Sequence, residues 1–235
     1  MPRLFDAYII VDWSAAAKPV TGANSIWIGT RARDARLKFQ FSSANPNTRV
    51  AARSLLKDRI EKLVGRGDKV LVGFDFAFGY PTGTAAAASL TGSGQAPWRA
   101  MYDFLSGKVK ERDDNANARF AIAAGLTDAI SQGPHPFWDT PKKSQSTTLA
   151  TKKGDFSSAN SLPEHRKAEA WIKSTFKAHP KSVWQLLGAG AVGSQALLGI
   201  PTVDFLRREI PGARIWPFET GFKTLDPDDL ETVSC

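Results

Sequence analysis

Tyr8-Ile9-Ile10-Val11-Asp12 is a short apolar run that ends on a carboxylate, and Val70-Leu71-Val72-Gly73-Phe74-Asp75 repeats the pattern. β-Branched runs of this length, bounded by turn residues, read as buried strands. An aspartate at the end of such a strand is costly unless it is paired, hydrogen-bonded or bound to a metal. Neighbouring strands lie about 4.8 Å apart, so the two carboxylates can meet if these strands are adjacent. That arrangement suits a divalent cation and phosphate chemistry.

Working outward from the first run, Ser25–Gly29 and Leu37–Phe41 read as two further strands. The second alternates apolar and polar residues, as a half-exposed antiparallel strand does. A helix is expected over Thr48–Val64, with Val50, Leu55, Ile60 and Leu63 apolar and a basic outer face. Gly65-Arg66-Gly67-Asp68 ends it before the second strand-aspartate run. The order is three strands, a helix and a fourth strand. It fits a mixed sheet: a three-strand meander joined by a fourth strand after a helical crossover.

Beyond Asp75 the pattern is helical and irregular. Thr82–Pro97 is a small-residue loop with a short helix at Ala85–Ala88. Helices are expected over Trp98–Val109, Asn115–Ile130 and Pro163–Phe176, with breaks at Pro134, Pro136 and Pro141. Asp139–Pro163 carries Lys142, Lys143, Lys152 and Lys153 among many Ser and Thr, and reads as a flexible surface loop or a basic flap. Val183–Leu187 is a strand or a buried turn. Ser194–Leu198 and Val203–Glu209 are helical around a break at Gly199-Ile200-Pro201, and Arg214–Phe218 is a short strand ending at Glu219.

Composition narrows the partners. The chain has 235 residues and a formal charge of +8, with 42% hydrophobic residues. That is enough for a sizeable core, and the basic balance favours anionic partners unless the charge is spread over a solvated surface. The single cysteine, Cys235, excludes an intrachain disulfide and a cysteine-based zinc site. His135, His165 and His179 lack metal-ligand spacing. The N-terminus lacks a secretory leader pattern and no stretch reaches the length of a membrane span. The expectation is a soluble cytoplasmic protein.

Glu219 would complete an acidic trio with Asp12 and Asp75, able to hold Mg2+ or Mn2+ by oxygen ligation with positions left for water and phosphate. Each of the three is also readable as a cap or a salt-bridged residue. Phe76 and Phe78 read as core; Tyr80 reads as core or as a base-stacking ring. Arg166 and Glu169 share a helix face and would hold a phosphate and a water, or form a surface ion pair. Asp113–Phe120 is a capped helix start or a polar rim. Gly188-Ala189-Gly190-Ala191-Val192-Gly193 matches the dinucleotide fingerprint, but Pro201 interrupts the expected helix. The plainer reading is a glycine-rich helix start that packs closely or cradles a phosphate. No nucleophile-elbow motif supports a covalent hydrolase.

Val11-Asp12-Trp13-Ser14-Ala15, Gly73–Pro81, Pro136-Phe137-Trp138, Arg166 with Glu169, Ser182–Leu186 with Gly188–Pro201, and Trp216–Gly221 recur in that order. As a set they resemble a bacterial family of predicted nucleases with a ribonuclease H-like fold, over nearly the whole chain. The resemblance implies a single domain spanning residues 1–235, with a mixed five-stranded sheet flanked by helices. It places Asp12 and Asp75 at the acidic positions of the first and fourth strands, and puts the Gly188 stretch in a helical connection. Some relatives carry molybdopterin-related labels, for which no residue here argues. Similar proteins continue past Trp-Pro-Phe-Glu into another acidic strand. This chain ends at Leu230–Cys235, so the expected last strand is missing or rudimentary.

The leading expectation is a metal-dependent nuclease or phosphodiesterase. Asp12, Asp75 and Glu219 would ligate the metal, with Glu169 as a further catalytic carboxylate. Trp13, Ser14, Arg166, Tyr80 and Gln195 are the candidate substrate-binding residues, and nucleic acid or another phosphorylated ligand is the expected partner. Two alternatives stand beside it: an ATP-dependent phosphotransferase of related topology, and a catalytically degenerate protein that binds nucleic acid or nucleotide.

Overall fold

The computed structural model describes residues 4–157 and 162–223. The expectations about a strand after Trp216–Gly221 and about Cys235 therefore fall on residues outside the described set, as does part of the 139–163 stretch. The chain divides into two compact units. One comprises residues 1–75, 111–117 and 202–235, and the other residues 76–110 and 118–201. No helix among the described residues is long and apolar enough to cross a membrane.

The first unit holds a mixed sheet. Its strands are β1 (Ala7–Asp12), β2 (Trp27–Arg33), β3 (Phe39–Ala44) and β4 (Val70–Phe74), in the order β3-β2-β1-β4. β1 to β3 are antiparallel neighbours, and β4 runs parallel to β1. Parallel pairing needs a crossover, which α1 (Arg49–Val64) supplies. The resemblance implies five strands; among the described residues the sheet has four.

Alternation gives the sheet two different faces. Ala7, Ile9, Val11, Ile28, Val70 and Val72 are buried on one of them. Against this face α1 lays Ala52, Leu56, Ile60 and Leu63, spaced three and four residues apart. Arg59 of α1 donates to Thr30 Oγ1 at 2.8 Å, which fixes the helix on that side. Leu56 and Ile60 are fully buried, and each contributes about 1.5–3 kcal/mol by leaving water. Thr48 caps the helix, its hydroxyl accepting from Ala51 N–H at 3.1 Å. Val50 and Leu55, expected on the apolar stripe, are only half-buried.

A buried hub joins the rest of this unit. Arg49 is fully buried at the start of α1 and pairs with Glu111 at 2.9 Å. It also donates to the carbonyls of Ala16 and Asn115 at 2.7 and 2.8 Å. Asn115 takes a left-handed backbone with φ 62° and accepts from Arg49 N–H through its side chain. That conformation is incompatible with the helix expected from Asn115. The helix α4 starts instead at Arg119 and runs to Ser131.

The second unit contains α2 (Thr84–Ala87), α3 (Pro97–Lys108), α4 and α5 (Lys167–Phe176). Tyr80, Phe137 and Trp184 pack together with centroids 4.9–6.1 Å apart. Val183–Leu187 forms a buried turn with an isolated bridge between Trp138 and Gln185. Within the expected basic loop, Lys142–Ser144 make one 3-10 turn, Ser146 bridges to Leu149, and Leu149 is fully buried.

Two expectations about the C-terminal third are corrected. Gly193–Glu209 is one helix, α6, with Pro201 inside it and no break at Gly199–Pro201. A proline there costs about 3 kcal/mol. Leu197, Leu198 and Ile200 before it and Leu206 after it are buried almost completely, which outweighs that cost. Arg214–Phe218 is not a strand. Pro217 has no N–H for a ladder, and the segment closes on itself instead. Glu219 N–H donates to Ile215 O at 3.0 Å, and Gly221 N–H to Pro217 O at 2.8 Å.

Candidate functional site

Asp12 is the last residue of β1, and Asp75 directly follows β4. The parallel register pairs Val11 with Phe74, and Asp75 N–H continues it by donating to Val11 O at 3.1 Å. The two aspartates therefore stand side by side on the face that α1 does not cover. Both sit at the carboxyl ends of parallel strands, where open α/β sheets bind their ligands.

One carboxyl is held firmly. Trp13 N–H donates to Asp75 Oδ1 at 2.8 Å. The Trp13 ring is 1% exposed and packs edge-on against Phe74 at 6.0 Å, so the aromatic core fixes that amide. Ser14 shapes the loop beyond it. Its hydroxyl donates to Asn24 O at 3.1 Å and accepts from Ala16 N–H at 3.2 Å. The Arg49 hub anchors the same loop through Ala16 O.

The pair is electrostatically tense. Loss of water around the Asp75 carboxyl pushes its pKa up, and the neighbouring Asp12 adds charge repulsion and a side-chain hydrogen bond in the same direction. The Trp13 amide opposes this and does not cancel it. Asp75 as a whole residue is exposed, so the desolvation concerns its carboxyl end packed beside Trp13 and Asp12. Like charges this close favour sharing a proton or a cation.

The other sequence candidates have partners of their own. Glu219 accepts from Arg207 at 2.7 Å and from Ile215 N–H at 2.8 Å. It borders a depression of about 450 Å³, lined also by Arg207, Arg208 and Arg214, in which neither Asp12 nor Asp75 takes part. Glu169 and Arg166 form the capping pair of α5. Arg166 N–H donates to Glu169 Oε2 at 2.8 Å, and the guanidinium grips the same carboxylate. Tyr80 is in the aromatic cluster, and burial pushes its phenol pKa up. Gln195 is half-buried in the first turn of α6. Among the described residues, no three His, Cys, Asp or Glu side chains gather as a metal-holding group. What the fold brings together is the pair Asp12 and Asp75.

Gly193 shows what the glycine-rich motif does. A Cβ there would stand 2.5 Å from Gln185 O and 2.6 Å from Val183 O, so the glycine permits close packing at the start of α6. Sequence reasoning missed three contributors: the Trp13 amide, the Arg49–Glu111 hub, and the uncovered sheet face beside the aspartates. Only the last left a signal, since Gly29 and Gly73 interrupt otherwise regular strands.

No protein-family model matches the chain, and neither the curated proteins nor the solved structures contain a significant match.

Proposed function

We propose that the protein is a metal-dependent phosphodiesterase acting on nucleic acid, on a sheet of ribonuclease H-like type. The observation that carries this reading is the adjacent Asp12–Asp75 pair at the carboxyl ends of parallel β1 and β4, with the Asp75 pKa raised. The meander β3-β2-β1 followed by parallel β4 supports the fold assignment. The donor set fits Mg2+ or Mn2+: hard oxygen ligands from two carboxylates, which leave the rest of the shell to waters and substrate phosphate. Mg2+ is commonly bound by one or two carboxylates and completes its shell that way. Glu219 and Glu169 are held by Arg207 and Arg166, and this reading does not require them.

A divalent ion bound there would polarise the phosphorus centre and activate an attacking water. The chain's own part is to hold the two carboxylates in register. The Trp13 amide orients Asp75, the strand ladder places Asp12 beside it, and the Arg49 hub fixes the loop that follows. Without a cation, the raised Asp75 pKa favours a proton between the two side chains.

The test is incubation with single- and double-stranded DNA and RNA, with and without Mn2+. Cleavage is expected only with metal. Outer partners of metal ligands typically cost 10–100-fold, so Asp12→Asn and Asp75→Asn should each lower the rate by about 100-fold or more. Full activity in either variant, or no cleavage with any divalent metal, overturns the proposal.

A further inference from the structure

We propose that the uncovered face of the sheet is a stacking platform for single-stranded nucleic acid, leading along β1 to the aspartate pair. This assigns a substrate class to the phosphodiesterase reading and rests on it for the role of Asp12 and Asp75.

The face is apolar and open. Ile10 is 58% exposed and Phe41 72% exposed, on the side opposite α1. With Tyr8, Gly29 and Arg31 they line a depression of about 330 Å³. Gly29 and Gly73 flank Ile10 in register on β2 and β4. A Cβ at Gly29 would stand 3.3 Å from the Phe41 ring, and one at Gly73 would stand 3.1 Å from Ile10 Cδ1. The two glycines thus let Phe41 and Ile10 lie down against the sheet and make a flat floor. Flat apolar surface carrying an exposed aromatic ring accepts any base, because every base has a π-face.

Charge selects a polyanion as the occupant. Arg31 and Arg33 share this face on β2, and Arg36 and Lys38 follow in the turn to β3. Of the carboxylates at that end, Asp34 is held by the N–H groups of Arg36 and Lys38 at 2.8 and 2.9 Å, and Asp6 accepts from Lys69 N–H at 3.2 Å. At the opposite end stand Asp12 and Asp75, which a phosphate can approach only through a cation. Successive positions on one face are about 7 Å apart. Tyr8, Ile10 and Asp12 are therefore three positions, two such steps, from the basic end to the carboxylates. An apolar protein surface would match the floor but neither end.

The experiment is fluorescence anisotropy with labelled oligouridylate and oligothymidylate in EDTA, using the Asp12→Asn/Asp75→Asn protein, so that binding is read without chemistry. Both oligonucleotides are expected to bind, and the two arms separate RNA from DNA. Phe41→Ala should weaken binding about 5- to 100-fold. Arg31→Glu should weaken it and flatten the salt dependence by about 0.7 per lost phosphate contact. Arg214→Glu, the same charge change elsewhere, should leave affinity unchanged, and thermal melts confirm folding. The platform is overturned if neither oligonucleotide binds, if Phe41→Ala binds normally, or if Arg214→Glu costs as much as Arg31→Glu. It is also overturned if Phe41→Ala only splits a dimer with nucleic-acid affinity intact. Binding through this face in a protein that cleaves no diester would retain the platform and remove the phosphodiesterase reading.

Discussion

Asp75 stands beside Asp12 at the ends of two parallel strands, and the Trp13 amide between them holds Asp75 Oδ1 at 2.8 Å. Desolvation and the Asp12 charge raise the Asp75 pKa in the folded protein. The ordinary aspartate value is about 3.9. Between that value and the raised one, the folded state binds more protons than the unfolded state, so stability from this group falls as pH rises through the window. Above the window the full cost remains. Asp75→Asn should therefore raise the melting temperature of metal-free protein at pH 7, and the gain should vanish below pH about 3.9. Mg2+ or Mn2+ should raise the melting temperature of the wild type and not of the variant. Thermal denaturation with and without EDTA checks both, and an Asp75→Asn protein less stable than wild type at pH 7 would count against the tense pair.

The Arg49–Glu111 pair makes a separate prediction. The side chains are 0% and 6% exposed, so removing Arg49 strands a buried carboxylate. Such a break typically costs 3–5 kcal/mol, and Arg49→Met should lose about that much in urea denaturation. Arg49→Met/Glu111→Gln should lose less than the single variant, because the orphaned charge is gone.

Glu219 offers a discriminating variant. Its carboxylate accepts from Arg207 and from Ile215 N–H. Glu219→Gln removes the charge from those bonds and should cost about 1–2 kcal/mol. Mn2+ affinity, measured by calorimetry, should stay within about twofold, since direct loss of a ligand costs far more. A large fall in affinity would make Glu219 part of the metal shell.

What could be read in advance follows from how local each signal is. β1 and β4 were legible because short β-branched runs between turns allow few other structures. The aspartate pair was legible because parallel register carries one strand end onto the next. Glu219 was not: Ile215, Trp216 and Phe218 look like a strand, while Pro217 turns the segment back on itself. The continuity of α6 through Pro201 was hidden because burial on both sides overrides local propensity. Arg49 looked like part of a basic helix face, since its partner lies 62 residues away. The open sheet face left only the strand glycines Gly29 and Gly73 as a signal, because alternation shows that a strand has two faces and not which one is covered.

Two glycines in helices test the packing in opposite directions. Gly193 opens α6 where a Cβ would lie within 2.6 Å of two backbone carbonyls, those of Gln185 and Val183. Backbone cannot swing aside as a side-chain tip can, so Gly193→Ala must push the helix start away from the 183–185 turn. Overpacking of this kind costs about 3 kcal/mol or more. Gly125 lies inside α4, is exposed, and has nothing within 4 Å of an added Cβ. There an alanine gains helix propensity alone, about 0.5–1 kcal/mol. Urea denaturation of the two variants should therefore move in opposite directions from wild type. If Gly193→Ala proved neutral, the glycine-rich stretch would not be a packing device, and the phosphate-cradle reading of Gly188–Gly193 would return.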